Sequence, residues 1–397
     1  MKTNIGVFFG GRSTEHEISV ISANQAMHAI DRNKYDVTPV YITKEGHWFT
    51  GDALLDVKNY RDIPALLKKC TEVYMRPVYG DTKLYKIKKP LFGNDILTSL
   101  DVAIPVLHGS NGEDGTFEGL LEQCGLPYAG CDTLASANGM DKITMKMILQ
   151  SQGIPVVKYT WFTDHTWKTS QQEIIDRIEK ELGYPVIVKP SNLGSSVGIG
   201  RAADRSQLKE RIDDACRYSD RIIVEHMVDR IQEINCSVLG DADEYRTSVL
   251  EEPVKSGEIL SYEDKYMGGT KGAKGMQAAQ KRIPAQLPED VAARISHLAG
   301  ETFRVLGCHG VSRVDLIMDG ADGSIYVNEI NTIPGSLSFY LWEATGISFP
   351  ELMDRLVKLA VKRQRTRRSK TVSYGANIFA LTGGAKGAKG GVKGAKA

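Results

Sequence analysis

The feature that most limits what this chain can fold into lies near its end. Residues 312–318 and 324–330 alternate polar and apolar side chains, and Asp319-Gly320-Ala321-Asp322-Gly323 stands between them. Period-two alternation on both sides of a Gly/Asp turn predicts a β-hairpin. A turn centred on Asp322 sets Asp315 opposite Glu329, each seven residues from the centre, and cross-strand neighbours sit about 5 Å apart. Asn331 lies two positions beyond Glu329 and so shares its face. Two carboxylates and an amide oxygen on one face are hard donors of the kind Mg²⁺ takes while it also holds nucleotide phosphates. An exposed sheet face carrying ordinary acids has the same pattern, so the metal reading needs a phosphate-binding partner elsewhere.

Such a partner is present. The β-type run Tyr184-Pro185-Val186-Ile187-Val188-Lys189-Pro190 leads into Gly194-Ser195-Ser196-Val197-Gly198-Ile199-Gly200. This reads as a second hairpin with a small-residue tip. Small residues let backbone N–H groups approach an anion closely, serine hydroxyls donate to it, and Lys189 adds a point charge. A flexible surface tip would look the same. No GxxxxGK[ST] occurs and Gly10-Gly11 does not complete GxGxxG, so a P-loop kinase and a Rossmann dehydrogenase both lose ground.

Upstream, Ile5-Gly6-Val7-Phe8-Phe9 ends in Gly10-Gly11 before a helical pattern that begins near Ile18, the opening of a doubly wound α/β domain. A second apolar strand at 102–107 runs into His108-Gly109-Ser110-Asn111-Gly112-Glu113. Ligand groups gather at such strand C-ends, which favours a functional reading of His108 over a structural one. Helix-forming sequence spans 133–152, two more β-type runs fall at 221–227 and 233–239, and an amphipathic helix from Phe349 to about Lys362 closes the body.

With 42% apolar and 25% charged residues among 397, the chain is globular in composition and not disordered throughout. Six cysteines without a CxxC pair suggest neither a disulfide framework nor a zinc site. No run approaches the roughly 20 apolar residues of a membrane span, and the N-terminus lacks a signal-peptide core, so a soluble, unexported protein is expected. The formal net charge of +1 hides a division: the residues from Lys362 onward hold ten basic groups and no acid, leaving a body of net −9. A Gly/Ala/Lys tail of that kind cannot bury a core and is expected to be disordered.

The ordered strings GGRSTEHEIS, LHGSNGEDGTFEGLLE, GMDKITMK, VIVKPSNLGSSVGI, EDKY, SRVDL and NEINTIPG, spread from about residue 4 to 362, together resemble the D-alanine-D-alanine ligases of the ATP-grasp superfamily. The resemblance implies an α/β protein with an ATP-grasp fold. An N-terminal Rossmann-like domain would occupy 1–132, a small α+β lid 133–228 and a C-terminal α+β domain 229–362, with the basic tail at 363–397. It implies an ATP-dependent ligase that activates one D-alanine as an acyl phosphate and couples it to the amine of a second, for peptidoglycan precursor synthesis. The enzyme would be cytoplasmic and a homodimer, would use ATP and two Mg²⁺ (or Mn²⁺), and would have no specific nucleic-acid partner. The basic tail suits contact with an anionic surface, and a solvated extension is the default.

By the same resemblance, Asp315, Glu329 and Asn331 would hold the metal. Lys142, Lys189 and Lys265 would contact the ATP phosphates, and Glu225 and Glu233 the adenine and ribose. Arg313 would face the acyl phosphate and the tetrahedral intermediate, where a guanidinium suits developing oxyanion charge. Glu15 would accept the first substrate's ammonium, unless it only caps its helix, and Ser195 with Tyr266 would link it to a mobile lid loop. His108 and Glu113 would stand beside the first D-alanine. A tyrosine at position 266 resembles relatives that form dipeptides and disfavours ester formation, while D-serine stays open as second substrate.

The chain departs from the family after Asn331-Thr332-Ile333-Pro334-Gly335. The relatives continue to a His-Ser-Leu whose serine holds the second substrate's carboxylate; here the stretch reads Ser336-Leu337-Ser338-Phe339-Tyr340-Leu341. Ser338 and Tyr340 are therefore the candidates for that contact, since a tyrosine hydroxyl donates to a carboxylate, and core packing of the two aromatics is the alternative. A ligase for another amino-acid pair, or a non-catalytic nucleotide-binding switch, are the rival functions. An intact Arg313 disfavours the switch, because a mere binder needs no oxyanion stabiliser.

Overall fold

The computed structural model describes residues 2–194, 198–254 and 280–372. The chain forms one compact unit over Met1–Val361 and a second over Lys362–Ala397. Ser195, Lys265, Tyr266 and the tail from residue 373 lie outside the described residues.

Three sheets organise the larger unit. In the first, the Thr3–Gly10 strand lies at the parallel centre between Tyr35–Ile42 and Val102–Val106, and four short antiparallel strands extend one edge. Both faces of this sheet are covered, so Ile5–Phe9 and Val102–Val106 are continuous buried apolar runs and do not alternate. One face packs against the His16–Ala29 helix through Val20, Ala23 and Met27, and the other packs Phe8 and Val40 against Phe117 and Leu121. The expected strand–glycine–helix opening is present. Gly10 sits at φ +91°, where an added Cβ would lie 2.3 Å from the Ile42 carbonyl oxygen, so the turn demands glycine.

The second sheet is antiparallel, with Val186–Pro190 between Gly200–Ala202 and Arg221–His226, and Tyr159–Thr163 on the far side. Two helices, Gln171–Glu181 and Arg205–Ala215, bury Ile174, Ile178, Leu208 and Ile212 against it. The third sheet, also antiparallel, holds Ile231–Gly240 between Tyr245–Val254 and the final hairpin, and is backed by the Glu289–Val305 helix through Ile295 and Phe303. The two β-type runs at 221–227 and 233–239 thus fall in different sheets.

Two expectations shift in detail. The helical stretch at 133–152 is two helices, Thr133–Met140 and Lys142–Ser151. Asp141 breaks it: its backbone is extended, and its side chain accepts the Thr144 N–H as the cap of the second helix. The closing helix runs from Phe349 to Arg368, beyond the expected end near Lys362, and carries Arg365, Arg367 and Arg368 in its last turn, where cations suit the helix dipole. Among the described residues, no helix is long and apolar enough to cross a membrane.

The final hairpin has Gly310–Asp319 opposite Ile325–Asn331, and Asp315 faces Glu329 while Arg313 faces Asn331, as the alternation predicts. Toward the tip the register slips by one: Leu316 pairs with Val327, leaving Asn328 as the extra residue of a β-bulge. Above the bulge Ile325 and Val327 point into the core; below it Glu329 and Asn331 take the opposite face with Asp315.

Candidate active site

A cleft in this unit is lined by Glu15, His108, Glu113, Lys142, Gly194, Arg313, Asp315, Glu329, Asn331 and their neighbours. These residues come from five separate stretches of sequence: the start of the first long helix, the loop after the Val102–Val106 strand, the 139–142 helix junction, the loop after the Val186–Pro190 strand and the final hairpin. Eight of them are sequence candidates: six for the metal and the first substrate, Lys142 for the ATP phosphates and Arg313 for the acyl phosphate.

On the hairpin, Arg313 donates from Nε to Asp315 Oδ1 at 2.6 Å and from Nη2 to Oδ2 at 2.7 Å, a bidentate fork that fixes the guanidinium plane. Asn331 donates its amide N–H to the same Oδ2 at 3.0 Å. Burial raises the Asp315 pKa, and the charges of Glu329 and Glu233 add to that rise against the pull of Arg313. Carboxylates crowded enough to disfavour one another's charge are a place where a cation is welcome. Lys142 supplies part of this, with its ammonium 3.4 Å from Glu329 Oε2 while it also donates to the Leu193 carbonyl at 2.8 Å. The donor set of two opposed carboxylates and one amide fits Mg²⁺ in its chemistry. Among the described residues no group of three or more His, Cys, Asp or Glu side chains is placed to hold a metal ion.

Across the cleft, Glu15 precedes the His16–Ala29 helix but its side chain makes no capping hydrogen bond, so the alternative capping role is not realised. Its carboxylate instead lies where side chains on Gly109 and Gly194 would collide with it: a Cβ at Gly109 would be 2.8 Å from Glu15 Oε2, and one at Gly194 3.1 Å. Glu113 is buried and accepts the Gly109 N–H at 2.8 Å and the Ile333 N–H at 3.1 Å. Burial, then the Glu15 charge, push its pKa up to about 8 against those donors. Two acids that share one electrostatic environment are suited to receive an ammonium.

His108 is buried, with only its edge reaching the cleft. Its Nδ1 lies 2.9 Å from the Ile333 carbonyl oxygen and its Nε2 3.0 Å from Ser22 Oγ, which itself accepts the Ser336 N–H at 3.0 Å. These partners assign the proton to Nδ1 and the Ser22 hydroxyl as donor to Nε2. Burial lowers the His108 pKa to about 4, with Arg313 pushing the same way, so the ring is neutral at pH 7. These contacts tie the 108 loop and the His16–Ala29 helix to the 333–336 turn.

Beside the cleft lies a second charged group. Lys189 and Glu225 sit on neighbouring strands on one sheet face, 2.8 Å apart, and Lys189 also donates to Asn328 Oδ1 at 3.3 Å. The Glu225 side chain is thus a buried counter-ion of lysine, a place the resemblance did not give it. Glu233 faces Ile317 in the third sheet, on the Asp315 side.

Ser338 and Tyr340 are absent from the described lining of the cleft. The Tyr340 hydroxyl does donate to a carboxylate, but to the protein's own Glu251, at 2.9 Å. Glu251 also receives Lys281 at 2.9 Å and the Asn235 amide at 3.2 Å, and Lys281 lies 4.4 Å from the Tyr340 ring centroid. Phe339 stacks on Phe349 at 4.4 Å and packs against the core, the bland alternative for this aromatic. Ser338 is buried with its hydroxyl lacking a hydrogen-bond partner, and it ends a run of three left-handed residues, Ser336, Leu337 and Ser338, at φ 50–53°.

Sequence reasoning missed Glu251, Lys281, Asn235, Lys146 and Ser22. Register was the available signal for two of them: Asn235 pairs with Asp315 on one side and Glu251 on the other, so all three share a face.

Family models described as D-ala D-ala ligase N-terminus and C-terminus match residues 4–131 and 148–358. The D-alanine--D-alanine ligase of Thermosipho melanesiensis is 39% identical over 380 residues, covering 95% of this chain and 98% of the relative. That of Acetivibrio thermocellus is 40% identical over 373 residues, covering 91% and 96%. Among solved structures, the D-alanine-D-alanine ligase from Coxiella burnetii superposes with a TM-score of 0.75 at 30% identity, covering 92% of this chain and 96% of that one. The VanG D-Ala:D-Ser ligase from Enterococcus faecalis gives 0.76 at 31% identity, covering 91% and 100%. The fold is that of the ATP-grasp enzymes, as the motifs implied, and by both family models and full-length relatives the chain belongs to the D-alanine–D-alanine ligase family.

Proposed function

We propose that this chain is an ATP-dependent ligase that joins two D-alanines for peptidoglycan precursor synthesis. The observation that carries the reading is the Arg313–Asp315 fork beside the opposed Glu329, in one cleft with Lys142, Glu15 and Glu113. A carboxylate is a poor electrophile until it is phosphorylated. The first D-alanine's ammonium would settle at Glu15, leaving its carboxylate oxygen to attack the γ-phosphorus of ATP as the bond to ADP breaks. The amine of the second D-alanine then attacks the acyl carbonyl, loses a proton, and phosphate departs as the C–O bond breaks. Arg313 faces the oxyanion formed between these events, held in plane by Asp315. Asp315, Glu329 and Asn331 would hold Mg²⁺, two ions in our reading, which neutralise phosphate charge when bound. Lys142 and Lys189 would meet the phosphates, with Lys265 joining them, and Ser195 with Tyr266 would tie the lid to Glu15. Glu233 would face the ribose, and the backbone beside Glu225 the adenine.

The domain division at 132, 228 and 362, a homodimer and a cytoplasmic location belong to the same proposal. A second reading, D-serine as acceptor, is supported by the VanG D-Ala:D-Ser neighbour and by the engagement of Tyr340 with Glu251, which leaves the acceptor's carboxylate contact unassigned. ADP release measured across D- and L-amino acids tests the ligation and the choice of acceptor. D-alanine-dependent release with D-alanyl-D-alanine as product is expected; release that no amino acid stimulates would sink the ligase reading, and a better acceptor than D-alanine would select the second one.

A further inference from the structure

Lys146 has no place in the chemistry above, yet it is among the largest fully buried side chains of the protein, with no exposed surface. It stands one helical turn after Lys142 on the Lys142–Ser151 helix, and so projects from the same helix side, deeper in the structure. Its ammonium lies 3.2 Å from Glu225 Oε1, while the other oxygen of that carboxylate, Oε2, lies 2.8 Å from Lys189. The face of the Tyr159 ring is 5.9 Å from it. Burying an ammonium is costly, and apolar residues of similar size often replace buried ion pairs without loss of stability. Folding alone therefore gives no reason to keep a lysine here.

Charge gives one. Lys146, Glu225 and Lys189 form a trio of two cations around one anion, with a net charge of +1. Without Lys146, the remaining pair is neutral: Glu225 is free to satisfy itself on Lys189 alone, and the cation that should meet phosphate is cancelled by its own neighbour. We propose that Lys146 is a positioning residue that takes up part of the Glu225 charge, so that Lys189 keeps a net positive charge for the phosphates of ATP. Burial opposes charge at both ends of the Lys146–Glu225 pair and lowers the pKa of the Lys146 ammonium, while their mutual attraction counters it and the two ammoniums hold the Glu225 carboxyl well below the usual range. Lys189 in turn reaches Asn328 on the hairpin, which places the trio's exposed end against the strand that carries Glu329. The inference rests on the reading of this cleft as an ATP site.

The test uses the full-length enzyme and a thermodynamic cycle. ATP affinity is measured by calorimetry with Mg²⁺ and without D-alanine, alongside KM for ATP and for D-alanine, for Lys146→Met, Lys146→Gln, Glu225→Gln and the Lys146→Met/Glu225→Gln pair. Lys146→Met is expected to weaken ATP binding roughly 10- to 100-fold, the scale of one partly screened charge, with KM for D-alanine within about 2-fold. In the Glu225→Gln background the same Lys146→Met change is expected to cost little, because there is no anion left to share. Lys146→Gln keeps a donor to Glu225 without the charge and should lose affinity like the methionine variant, which covers the case of a poorly folding Lys146→Met. Unchanged ATP affinity in both single variants, or an equal loss in both Glu225 backgrounds, would reduce Lys146 to a packing residue. A wild-type enzyme without D-alanine-dependent ADP release would instead overturn the ligase reading itself.

Discussion

Arg313 holds Asp315 through two guanidinium nitrogens at 2.6 and 2.7 Å, so that the cation proposed for the oxyanion is aimed by an acid proposed for the metal. Each acts on the other: the fork orients the guanidinium, and the guanidinium opposes the rise in pKa that burial, Glu329 and Glu233 impose on Asp315. Arg313→Ala should reduce dipeptide formation by about 100- to 1000-fold, the cost of one lost oxyanion donor, while equilibrium binding of ATP stays within a few-fold. Arg313→Lys, which keeps the charge and loses the fork, should fall between wild type and Arg313→Ala. A parallel collapse of nucleotide binding in Arg313→Ala would place the residue in binding instead.

Stability should respond to pH through His108. Its folded pKa of about 4 lies below the ordinary 6.5, so the fold favours the neutral ring. That contribution is complete above pH 6.5 and is lost as the pH falls toward 4, up to about 3 kcal/mol in all. Chemical denaturation at pH 7, 5.5 and 4 should show this loss in the wild type, and His108→Gln should show a visibly shallower slope over the same interval.

Tyr340→Phe removes one hydrogen bond to the buried Glu251, which keeps Lys281 and Asn235. The expected cost is about 1–2 kcal/mol in stability with KM for ATP unchanged. A rise of more than about 10-fold in KM for the second amino acid, without that loss of stability, would return the hydroxyl to the substrate.

How much of this was legible beforehand follows from where the constraints are local. The Asp315–Glu329 pairing could be read because alternation and a Gly/Asp turn both belong to one hairpin. The centre at Asp322 is right at Asp315 only because of the bulge: nearer the tip Met318 pairs with Ile325, a centre half a residue earlier. The phase of the apolar residues records that slip, since Ile325 and Val327 are odd-numbered and Ile330 is even. Asp141 ended a helix that propensity alone would have continued, by offering the next helix its cap. Tyr340 could not be placed from sequence, because its partner Glu251 lies 89 residues away in a neighbouring element and only the assembled sheet brings them together. For the same reason the Lys146–Glu225 pair was invisible, while Lys189 and Lys142 were found through their motifs.

Ser338 combines a left-handed backbone with a buried hydroxyl that has no hydrogen-bond partner. Glycine accepts that backbone and removes the hydroxyl, so Ser338→Gly should stabilise the protein by about 1 kcal/mol in a denaturant titration. If turnover drops while stability rises, the strained serine is kept for the reaction.

Removing divalent metal should stop ADP release. With chelator in excess, activity is expected to vanish and to return on adding Mg²⁺; Glu329→Gln should need a higher Mg²⁺ concentration for half-maximal rate, because one of the hard oxygen donors is weakened. A rate indifferent to chelation would remove the metal from the Asp315–Glu329 face.

The bulge in the last strand has a further consequence. Deleting Asn328 would leave a regular ladder in which Val327 still meets Leu316 and Glu329 still meets Asp315. Strand pairing therefore has no use for this residue, and every neighbour would keep its partner without it. What would be lost is the reach of its amide oxygen to Lys189 in the other sheet. Asn328 is in that sense a spare link in the ladder that serves as a strap: opening the sheet that carries Lys189 away from the hairpin must first undo it.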